Sequence, residues 1–563
     1  MKMIRKKIFS VFAATLIGVS AGVSAAGCAR KDGDAATEEI DATKTQLYVA
    51  NYDGGAGHVW IENMKKAFEE ECKDEIFEEG KKGVQIVINN LKDEITGYTL
   101  YSKMSSYNYD VYFTATPREE IVNGDMIIAL DEFINEPIGF GETATIREKM
   151  QPYFLEQGYW ALDGKIYYIP TTQTHFGLSC YDVDLFEERE FFISAESTAN
   201  NLKWTGKGAK SAGADGVSGT YDDGLPVTES EYKALLQRIK ARGVTPYTWA
   251  GQYPNYMNAF VFNLDYSFDN AARARAYKSL TGSLVNGAGE TVNIGAENGY
   301  LTADSKGALE ALKLTAELVN QNNGYYSGNA FKTTQNQIKA QNEFLLSVKT
   351  NKRIAMILEG SWWENEALSM FEEMSKGNGN EKYAYKTRRF GAMLAPRLNA
   401  SVAEDKSQKA ILTSNSTAFI PKYSSKQDLA KKFLKYFCTD KALRAYNVTT
   451  GIGLAYDYDL SEEEYAGLSY YARNIYDIFK SDKIIKNKED RLSDVFKNRQ
   501  GKHYPYFYSS NCVNGGKDEV SCPFTTFYSY GKSSDEKQRI TAEKYFNGMK
   551  EIYSLLWTDL VKK

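Results

Sequence analysis

The sequence predicts an α/β fold with more than one lobe, and two observations support this. Strand-like and helix-like segments alternate between residues 46 and 113, at lengths typical of a parallel sheet. The chain also has 563 residues, which is more than one domain usually holds and enough for a large buried core. No internal repeat is evident in it.

The first sheet is indicated by elements that follow one another at short intervals. They are a strand at Gln46–Ala50, a helix at Trp60–Glu71, a strand at Val84–Ile88, a helix carrying Tyr98, Tyr101 and Met104, and a strand at Asp110–Phe113. Each helix has apolar residues at helical spacing. Because ligands bind at the carboxyl ends of parallel strands, the loops Asn51–Asp53 and Thr114–Arg118 are expected to lie on one rim.

The rest of the chain continues the alternation. We expect strands at Lys165–Pro170, Gly177–Tyr181, Arg353–Leu358, Phe390–Ala395 and Thr417–Ile420. We expect helices at Asp182–Glu188, Glu229–Arg242, Asn270–Leu280, Ser305–Gln321, Gln335–Thr350, Lys426–Cys438 and Tyr545–Val561. Residues 204–226 interrupt the pattern because they contain six glycines and few large apolar side chains.

The N-terminus has the three-part layout of a secretory signal. A basic head is followed by the apolar run Ile8–Val23 and by Ala-Ala-Gly before Cys28. A cysteine at this place resembles the lipobox of bacterial lipoproteins, which implies cleavage after residue 27 and lipid attachment at Cys28. The alternative is a plain cleaved signal with a chance cysteine. Residues 28–45 are small and charged, as in a flexible tether.

Charge and hydropathy exclude some partners. The net charge is -5 and the mature part has no long basic cluster, which argues against nucleic acid binding. No apolar stretch after the signal is long enough to span a bilayer, so membrane contact is expected only through the N-terminal lipid. The three histidines are scattered and form no zinc pattern.

The cysteines are too few for a disulfide scaffold. Cys72, Cys180 and Cys438 lie in apolar contexts and are expected to be buried thiols. Cys512 and Cys522 flank Asn-Gly-Gly, so they either close a small disulfide loop or remain thiols.

The segment 214–224 resembles a calcium loop. Asp215, Asp222 and Asp223 offer closely spaced carboxylate oxygens, and glycines allow tight turns between them. The segment lacks the full EF-hand pattern, and the alternative is a surface turn. No other cofactor is expected.

Four stretches, in order, resemble the extracellular sugar-binding proteins of ABC importers, the maltose-binding-protein-like family of solute-binding proteins. They are Tyr109–Phe113, Tyr167–Phe186, Ile354–Trp362 and Ala418–Leu454. The resemblance implies a two-lobed clamshell fold with discontinuous lobes and a hinge. Residues 46–168 and 397–456 would form the first lobe and residues 169–396 the second. Residues 457–563 would be a Tyr-rich, helical extension that packs on the lobes.

The resemblance also implies a function without catalysis. Such a protein captures a sugar or oligosaccharide between its lobes, closes, and delivers it to permease subunits. We accordingly expect a monomer, anchored by lipid on the outer face of the cell membrane. The aromatic content of 13% suits sugar rings, whose C–H faces stack on aromatic side chains.

The main candidate site residue is Trp362, which matches the tryptophan that stacks on sugar in the maltose-binding branch. The alternative for Trp362 is a core position, and the adjacent Trp363 and Glu364 are further candidates. His175 falls where that branch places a sugar-binding glutamate, and Gln173 shares its segment. An imidazole suits vicinal hydroxyls because it can donate and accept, but a structural histidine is equally compatible with the sequence.

Three further groups of residues are candidates for the cleft. Thr114, Thr116 and Arg118 follow a predicted strand at the place where the family presents polar groups to sugar; Asn51, Tyr52 and Asp53 follow another strand; and Tyr247, Trp249 and Tyr253 cluster in an aromatic loop. For the aromatic loop, packing in a core is the alternative.

Other functions remain open at this stage. A glycoside hydrolase needs two carboxylates across a cleft, and no motif marks such a pair. A surface carbohydrate-binding or sensor lipoprotein would share the fold but serve no permease. The same fold could also bind a peptide or a polyamine instead of a sugar.

Overall fold

The computed structural model describes residues 39–115, 119–152, 161–162, 165–398, 409–488, 522–532, 534–535 and 538–560. Two sheets, each covered by helices, form the frame of two lobes. The α/β prediction is therefore confirmed.

The first lobe is built on a seven-stranded sheet. Its strand order is Gly453–Leu454, Ile169–His175, Lys409–Phe419, Val111–Thr114, Thr45–Tyr52 and Val84–Leu91, and Ile484–Lys488 pairs with the strand Lys409–Phe419 outside this path. Thr45–Tyr52 runs parallel to Val84–Leu91 and to Val111–Thr114, as predicted. The carboxyl ends of these three strands therefore lie at one edge of the sheet.

The second lobe contains a four-stranded sheet. Its order is Thr245–Thr248, Ile354–Glu359, Leu178–Asp182 and Phe390–Met393. The first two strands are parallel and the other pairs are antiparallel. All six residues of Ile354–Glu359 are buried, which explains why all of them except Glu359 are apolar.

The remaining strands form short two-stranded ribbons. They pair Pro137–Gly139 with Glu142–Thr145, Ala161–Leu162 with Lys165–Ile166, Phe192–Ile193 with Trp204–Thr205, and Ser283–Val285 with Thr291–Asn293.

The described helices fill the space around the sheets. The α-helices are Val59–Glu71, Gly97–Lys103, Glu119–Asn123, Ile146–Lys149, Val183–Arg189, Glu229–Ala241, Pro254–Asp269, Ala272–Ser279, Lys306–Leu318, Gln337–Leu346, Trp363–Glu366, Leu368–Ser375, Gln427–Phe437, Asp440–Thr450, Glu462–Gly467, Tyr470–Lys480, Pro523–Tyr530 and Ala542–Leu560. Single 3₁₀ segments lie at Asp93–Ile95, Met104–Ser106, Phe133–Asn135, Gly299–Asp304, Ser347–Lys349 and Glu381–Tyr383. None of the described helices has the length and apolarity needed to cross a membrane.

Local sequence signals set several helix starts. Thr228 and Glu231 form a capping box at the start of Glu229–Ala241, and each side chain satisfies a backbone N–H of the other residue. Asp182 accepts a hydrogen bond from the Leu185 N–H at 3.0 Å and so caps the helix Val183–Arg189. These polar caps explain why both helices begin close to their predicted positions.

Two described segments run from one lobe to the other. The crossover strand (Lys409–Phe419) has Ala410 and Leu412 in the core of the second lobe and Ala418 in the core of the first. The segment His175–Gly177 leaves the first sheet and enters the second at Leu178. The predicted boundary at residue 169 is too early because Ile169–His175 still pairs within the first sheet.

Asn263 ties these two crossings together. Its Nδ2 donates to the Phe176 carbonyl at 2.6 Å, and its Oδ1 accepts from the Leu412 N–H at 2.7 Å. Asn263 lies in the helix Pro254–Asp269, which the sequence did not predict. The reason is that most of this helix is buried, so it lacks the one-sided apolar stripe of an amphipathic helix.

Candidate functional site

Trp362 lies where the two lobes meet. It follows the strand Ile354–Glu359, and its half-buried side chain packs against the cores of both lobes. Its ring centroid is 4.8 Å from that of Phe176 and 6.3 Å from that of Tyr256. The three rings form an aromatic wall on the second-lobe side of this junction, which we call the cleft.

The absence of a side chain at Gly360 leaves room for the Trp362 ring. A Cβ atom at residue 360 would lie 2.1 Å from the Trp362 ring, so any other residue would displace the indole. The Gly-Ser-Trp motif therefore has a steric basis: the glycine lets the indole lie directly against the backbone of its own turn.

The first lobe contributes a glycine turn and polar groups to the opposite side. Gly55, with φ of +60°, lies so close to Trp362 that a Cβ would be 3.3 Å from Cγ of the indole. Asn365 Nδ2 donates to the Gly55 carbonyl at 2.8 Å, which joins the lobes across the cleft. Asp53 Oδ1 lies 3.1 Å from His58 Nδ1, and both side chains remain partly exposed.

A group of polar side chains lies beside the aromatic wall. Gln341 Nε2 donates to Glu359 at 3.1 Å and to Glu366 at 2.8 Å. Burial raises the pKa of both carboxyls, and the Glu366 charge raises that of Glu359 further. Burial also raises the pKa of Tyr52, and the charge of Glu366 adds to this. First-lobe Tyr52 and second-lobe Glu366 therefore interact electrostatically across the cleft.

His175 has a structural position in this arrangement. It is 1% exposed, its Nδ1 lies 3.2 Å from Thr413 Oγ1, and burial lowers its pKa to about 3. The His175 N–H donates to Ser361 Oγ at 3.1 Å, and its carbonyl accepts from the Ser361 N–H at 2.9 Å. His175 is therefore a neutral residue that joins the two sheets, which agrees with the structural alternative for this histidine and not with a ligand contact.

The aromatic loop predicted as a cleft wall is mostly core. Trp249 and Tyr247 are fully buried, and Trp249 packs against Phe331 and Phe524 at centroid distances of 5.1 Å. The Tyr247 hydroxyl donates to Ser179 Oγ at 2.6 Å. Of the three predicted residues, only Tyr253 is exposed, just before the helix Pro254–Asp269.

Trp363 and Glu364 point inward from the same turn as Trp362. Trp363 is fully buried, with its ring centroid 5.1 Å from that of Phe390. Glu364 accepts a hydrogen bond from the Ser469 hydroxyl, and burial raises its pKa to about 7. The prediction that either residue contacts ligand is corrected, since both belong to the second-lobe core.

Glu364 should make the stability of the protein depend on pH. Its carboxyl is protonated in both states below the unfolded pKa of 4.5, and above about 7 the folded state must hold a buried charge. Stability should therefore fall between those pH values by up to about 3 kcal/mol. Glu364→Gln cannot ionise, so its stability relative to the unmodified chain should rise from pH 4.5 to pH 8 in urea unfolding. A constant difference would contradict the assignment.

Three predicted rim residues are less accessible than expected. Asn51 is buried and its Nδ2 donates to Asn90 Oδ1 at 2.9 Å. Thr114 is buried and donates to the Ile95 carbonyl at 2.7 Å. Gln173 is buried and donates to Gln151 Oε1 at 3.2 Å. All three therefore bond to other parts of the first lobe.

Some predicted residues lie outside the described part of the chain. They are Cys28, Thr116, Arg118 and Cys512. Cys522 is described as a free, fully buried thiol whose Sγ lies 3.0 Å from Thr525 Oγ1, which does not support the predicted disulfide. Cys72, Cys180 and Cys438 are buried thiols, as predicted.

The carboxylates of the predicted calcium loop bind their own loop. Asp222 Oδ2 accepts from the Ala214 N–H at 2.6 Å, and Asp223 Oδ2 accepts from the Gly219 N–H at 2.7 Å. Asp215 Oδ1 accepts from the Val217 N–H at 2.8 Å. No group of three acidic, histidine or cysteine side chains suited to a metal occurs among the described residues. Calcium binding at this loop stays a prediction.

The site also contains residues that the sequence analysis did not identify. Phe176, Tyr256 and Asn365 contact Trp362 or connect it to the first lobe. Phe176 directly follows His175, so the signal was present one residue away from the candidate. Asn365 likewise directly follows the candidate Glu364, whereas Tyr256 lies in the helix Pro254–Asp269, which the sequence did not predict.

Comparison with solved structures identifies the fold. A chitin oligosaccharide binding protein is 15% identical over 92% of this chain and 99% of its own, with a TM-score of 0.51. The apo form of RafE from Streptococcus pneumoniae is 14% identical over 92% of this chain and 99% of its own, with a TM-score of 0.52. The chain has the fold of these binding proteins. Maltose-bound MalE3 of T. maritima has the same fold. It is 13% identical over 91% of this chain and 100% of its own, with a TM-score of 0.51.

The two-lobed fold that the sequence resemblance implied is thus confirmed by the solved structures. No family model and no curated protein matches the chain. Within this fold, Trp362 lies at the junction of the two lobes and packs against the core of each.

Proposed function

We propose that this chain is a solute-binding protein that holds a sugar or oligosaccharide between its lobes, without making or breaking a bond. The observation that carries the proposal is the half-buried Trp362 ring at the junction of the two lobes, supported by Phe176 and Tyr256. An aromatic face suits the C–H face of a sugar ring, and the nearby polar groups suit its hydroxyls.

The fold neighbours favour a carbohydrate over other solutes. The titles of several of them name chitin oligosaccharide, raffinose or maltose as what the protein binds. In this chain, Tyr52 and Asp53 of the first lobe and Glu366 of the second offer hydrogen-bonding groups beside the aromatic wall. A peptide or polyamine is the alternative that the same acidic and aromatic groups would accept.

Binding would work by shifting an equilibrium between open and closed lobes. A ligand favours the closed state only if it contacts both lobes there. The contact of Trp362 with Gly55, and the Asn365 bond to the Gly55 carbonyl, show how near the two sides come in this arrangement. A sugar would replace part of this direct contact with its own contacts to both sides.

The proposal extends to location and partners. Cleavage of residues 1–27 and lipid attachment at Cys28 would hold the protein outside the cytoplasmic membrane, beside a permease that accepts its sugar. Uptake of labelled sugar by cells tests the permease: loss of uptake on deletion of the gene supports an importer. Unchanged uptake, with sugar still bound at the cell surface, would instead favour a sensor or adhesion lipoprotein.

The direct test is a thermal-shift screen of residues 29–563 against maltose, raffinose, xylotriose and chitobiose, each with and without calcium, and against a set of peptides and polyamines. A ligand that binds only the folded state stabilises it by about 2.7 kcal/mol at 100 times its dissociation constant. We expect a saturable rise in melting temperature with one sugar class. Shifts with peptides or polyamines, and none with sugars, would overturn the substrate. A rise with calcium alone would support the Asp215–Asp223 loop as a cation site.

A further inference from the structure

The bridging helix (Tyr470–Lys480) lies in the C-terminal part of the chain, to which the sequence assigned no role. One face of this helix packs in the second lobe through Tyr471, Ile475 and Ile478. The other face packs in the first lobe through Ala472 and Phe479. The helix is therefore fixed to both lobes at once.

The helix contacts the first lobe closely. A Cβ at Gly451 would lie 3.0 Å from Ala472 Cβ, and a Cβ at Gly453 would lie 2.9 Å from the Phe479 ring. Two glycines thus allow the helix to lie against the backbone around the strand Gly453–Leu454. This close approach leaves the helix little freedom to shift relative to that lobe.

The first turn of the helix reaches the Trp362 segment from one side. The Tyr471 hydroxyl donates to the Gly360 carbonyl at 3.1 Å and lies 3.4 Å from Cys180 Sγ. The Tyr471 ring packs edge-on against Trp363, with centroids 5.6 Å apart. Tyr471 is fully buried, so this bond has no water to compete with it.

Ser469 reaches the same segment from the other side. Its hydroxyl donates to the Glu364 carboxylate and accepts from the Ala472 N–H at 2.9 Å. Ser469 is therefore the N-cap of the bridging helix and a partner of Glu364 at the same time. Trp362 lies between Gly360 and Glu364 in the chain. The bridging helix and its N-cap therefore bond to a residue on each side of Trp362.

We propose that Ser469 and Tyr471 are positioning residues that hold the Trp362 indole in the cleft. They touch no ligand and act through Gly360 and Glu364. Because stacking contacts weaken steeply with small displacements, a turn that loses one of these bonds should present a poorer surface to the sugar. The expected effect on affinity rests on the proposed function, whereas the placement of the indole does not.

The first experiment needs no ligand. The difference in acrylamide quenching between the chain and its Trp362→Phe variant isolates the fluorescence of the Trp362 indole. Tyr471→Phe and Ser469→Ala are each made in the unmodified chain and in the Trp362→Phe variant. Each should increase the quenching of the Trp362 indole, because the indole becomes more accessible to acrylamide. Ser469→Thr keeps the hydroxyl and the cap, so it should restore the quenching of the unmodified chain. Unchanged quenching in both Tyr471→Phe and Ser469→Ala would overturn the positioning role.

The second experiment measures affinity by calorimetry, with whichever of the four saccharides gives saturable binding in the screen. Tyr471→Phe should weaken binding by about 3- to 10-fold, the effect of one buried hydrogen bond. Tyr446→Phe is the matched control: it removes a buried hydroxyl that lies 2.6 Å from Thr172 Oγ1 in the first lobe, on the helix Asp440–Thr450. It should lower the melting temperature similarly and leave affinity within about twofold.

The outcomes separate this proposal from the proposed function. Equal losses of affinity in the two tyrosine variants would mean that Tyr471 acts only through stability, which overturns the positioning role. If Trp362→Ala binds the sugar as well as the unmodified chain does, the proposed binding site is wrong. In that case the quenching experiment still decides whether the bridging helix places the indole.

Discussion

Replacing Trp362 by alanine is expected to weaken sugar binding by roughly 30- to 1,000-fold. This corresponds to about 2–4 kcal/mol, the range for truncating a large aromatic side chain at the centre of a binding surface. The reason is that Trp362 provides the ring at the junction of the lobes, and Phe176 and Tyr256 support it. Calorimetric titration with the sugar found in the thermal-shift screen measures the effect.

The matched control is Trp204→Ala. Trp204 is also half-buried, and it packs on the second-lobe core beside the Arg238 guanidinium, whose carbon lies 5.2 Å from the ring. Because the two tryptophans are similarly buried, both variants should lose a comparable amount of stability in urea unfolding. Only Trp362→Ala should lose affinity. A loss of stability much larger than that of Trp204→Ala, with affinity unchanged, would make Trp362 a core residue.

The sequence predicted Trp362 as a site residue, but no local pattern showed that the other candidate tryptophans are buried. Trp249 also follows a strand in an aromatic loop, and Trp363 is adjacent to Trp362, yet both are fully buried. Which tryptophan reaches the cleft depends on Gly360, whose lack of a Cβ lets the Trp362 ring fold over its own turn. That steric relation follows from the tertiary structure and has no signature in hydrophobic periodicity.

The elements of the first sheet were predicted well because local pattern and tertiary environment agree there. The helix Val59–Glu71 buries one stripe, and its flanking strands are short apolar runs. The local sequence pattern is less informative where an element is buried on more than one side, because its apolar residues then form no single stripe. The helix Pro254–Asp269 is buried over most of its length, so it displays no simple polar face.

His175 shows a second limit of sequence reasoning. It lies where the chain crosses from one lobe to the other, and a residue there can either line the cleft or fill the crossing itself. Its bonds with Ser361 and its contact with Thr413 place it in the crossing. Phe176, one residue later, reaches the aromatic wall instead. Alternation along an extended segment explains the difference, since successive side chains point to opposite faces.

The crossing between the lobes contains a position where a single methyl group should strongly destabilise the protein. Gly177 has φ of +69°, and a Cβ there would lie 2.5 Å from the carbonyl carbon of Ala259 and from the backbone nitrogen of Phe260. Backbone atoms of the helix Pro254–Asp269 cannot move aside as a flexible side chain can. Gly177→Ala should therefore lose about 3–5 kcal/mol, of which about 1–2 kcal/mol is the left-handed conformation and the rest is overpacking.

Gly243→Ala separates the two contributions. Gly243 has φ of +73°, and no atom lies within 4 Å of a Cβ built on it, so this variant carries the conformational cost alone. Urea unfolding of both variants should show Gly177→Ala to be the less stable by about 2–3 kcal/mol. Equal losses would mean that the chain around Ala259 yields to the methyl group. The packing around Gly177 would then be looser than its contacts indicate. The Asn263 hydrogen bonds would instead be the main interactions that fix the conformation of this crossing.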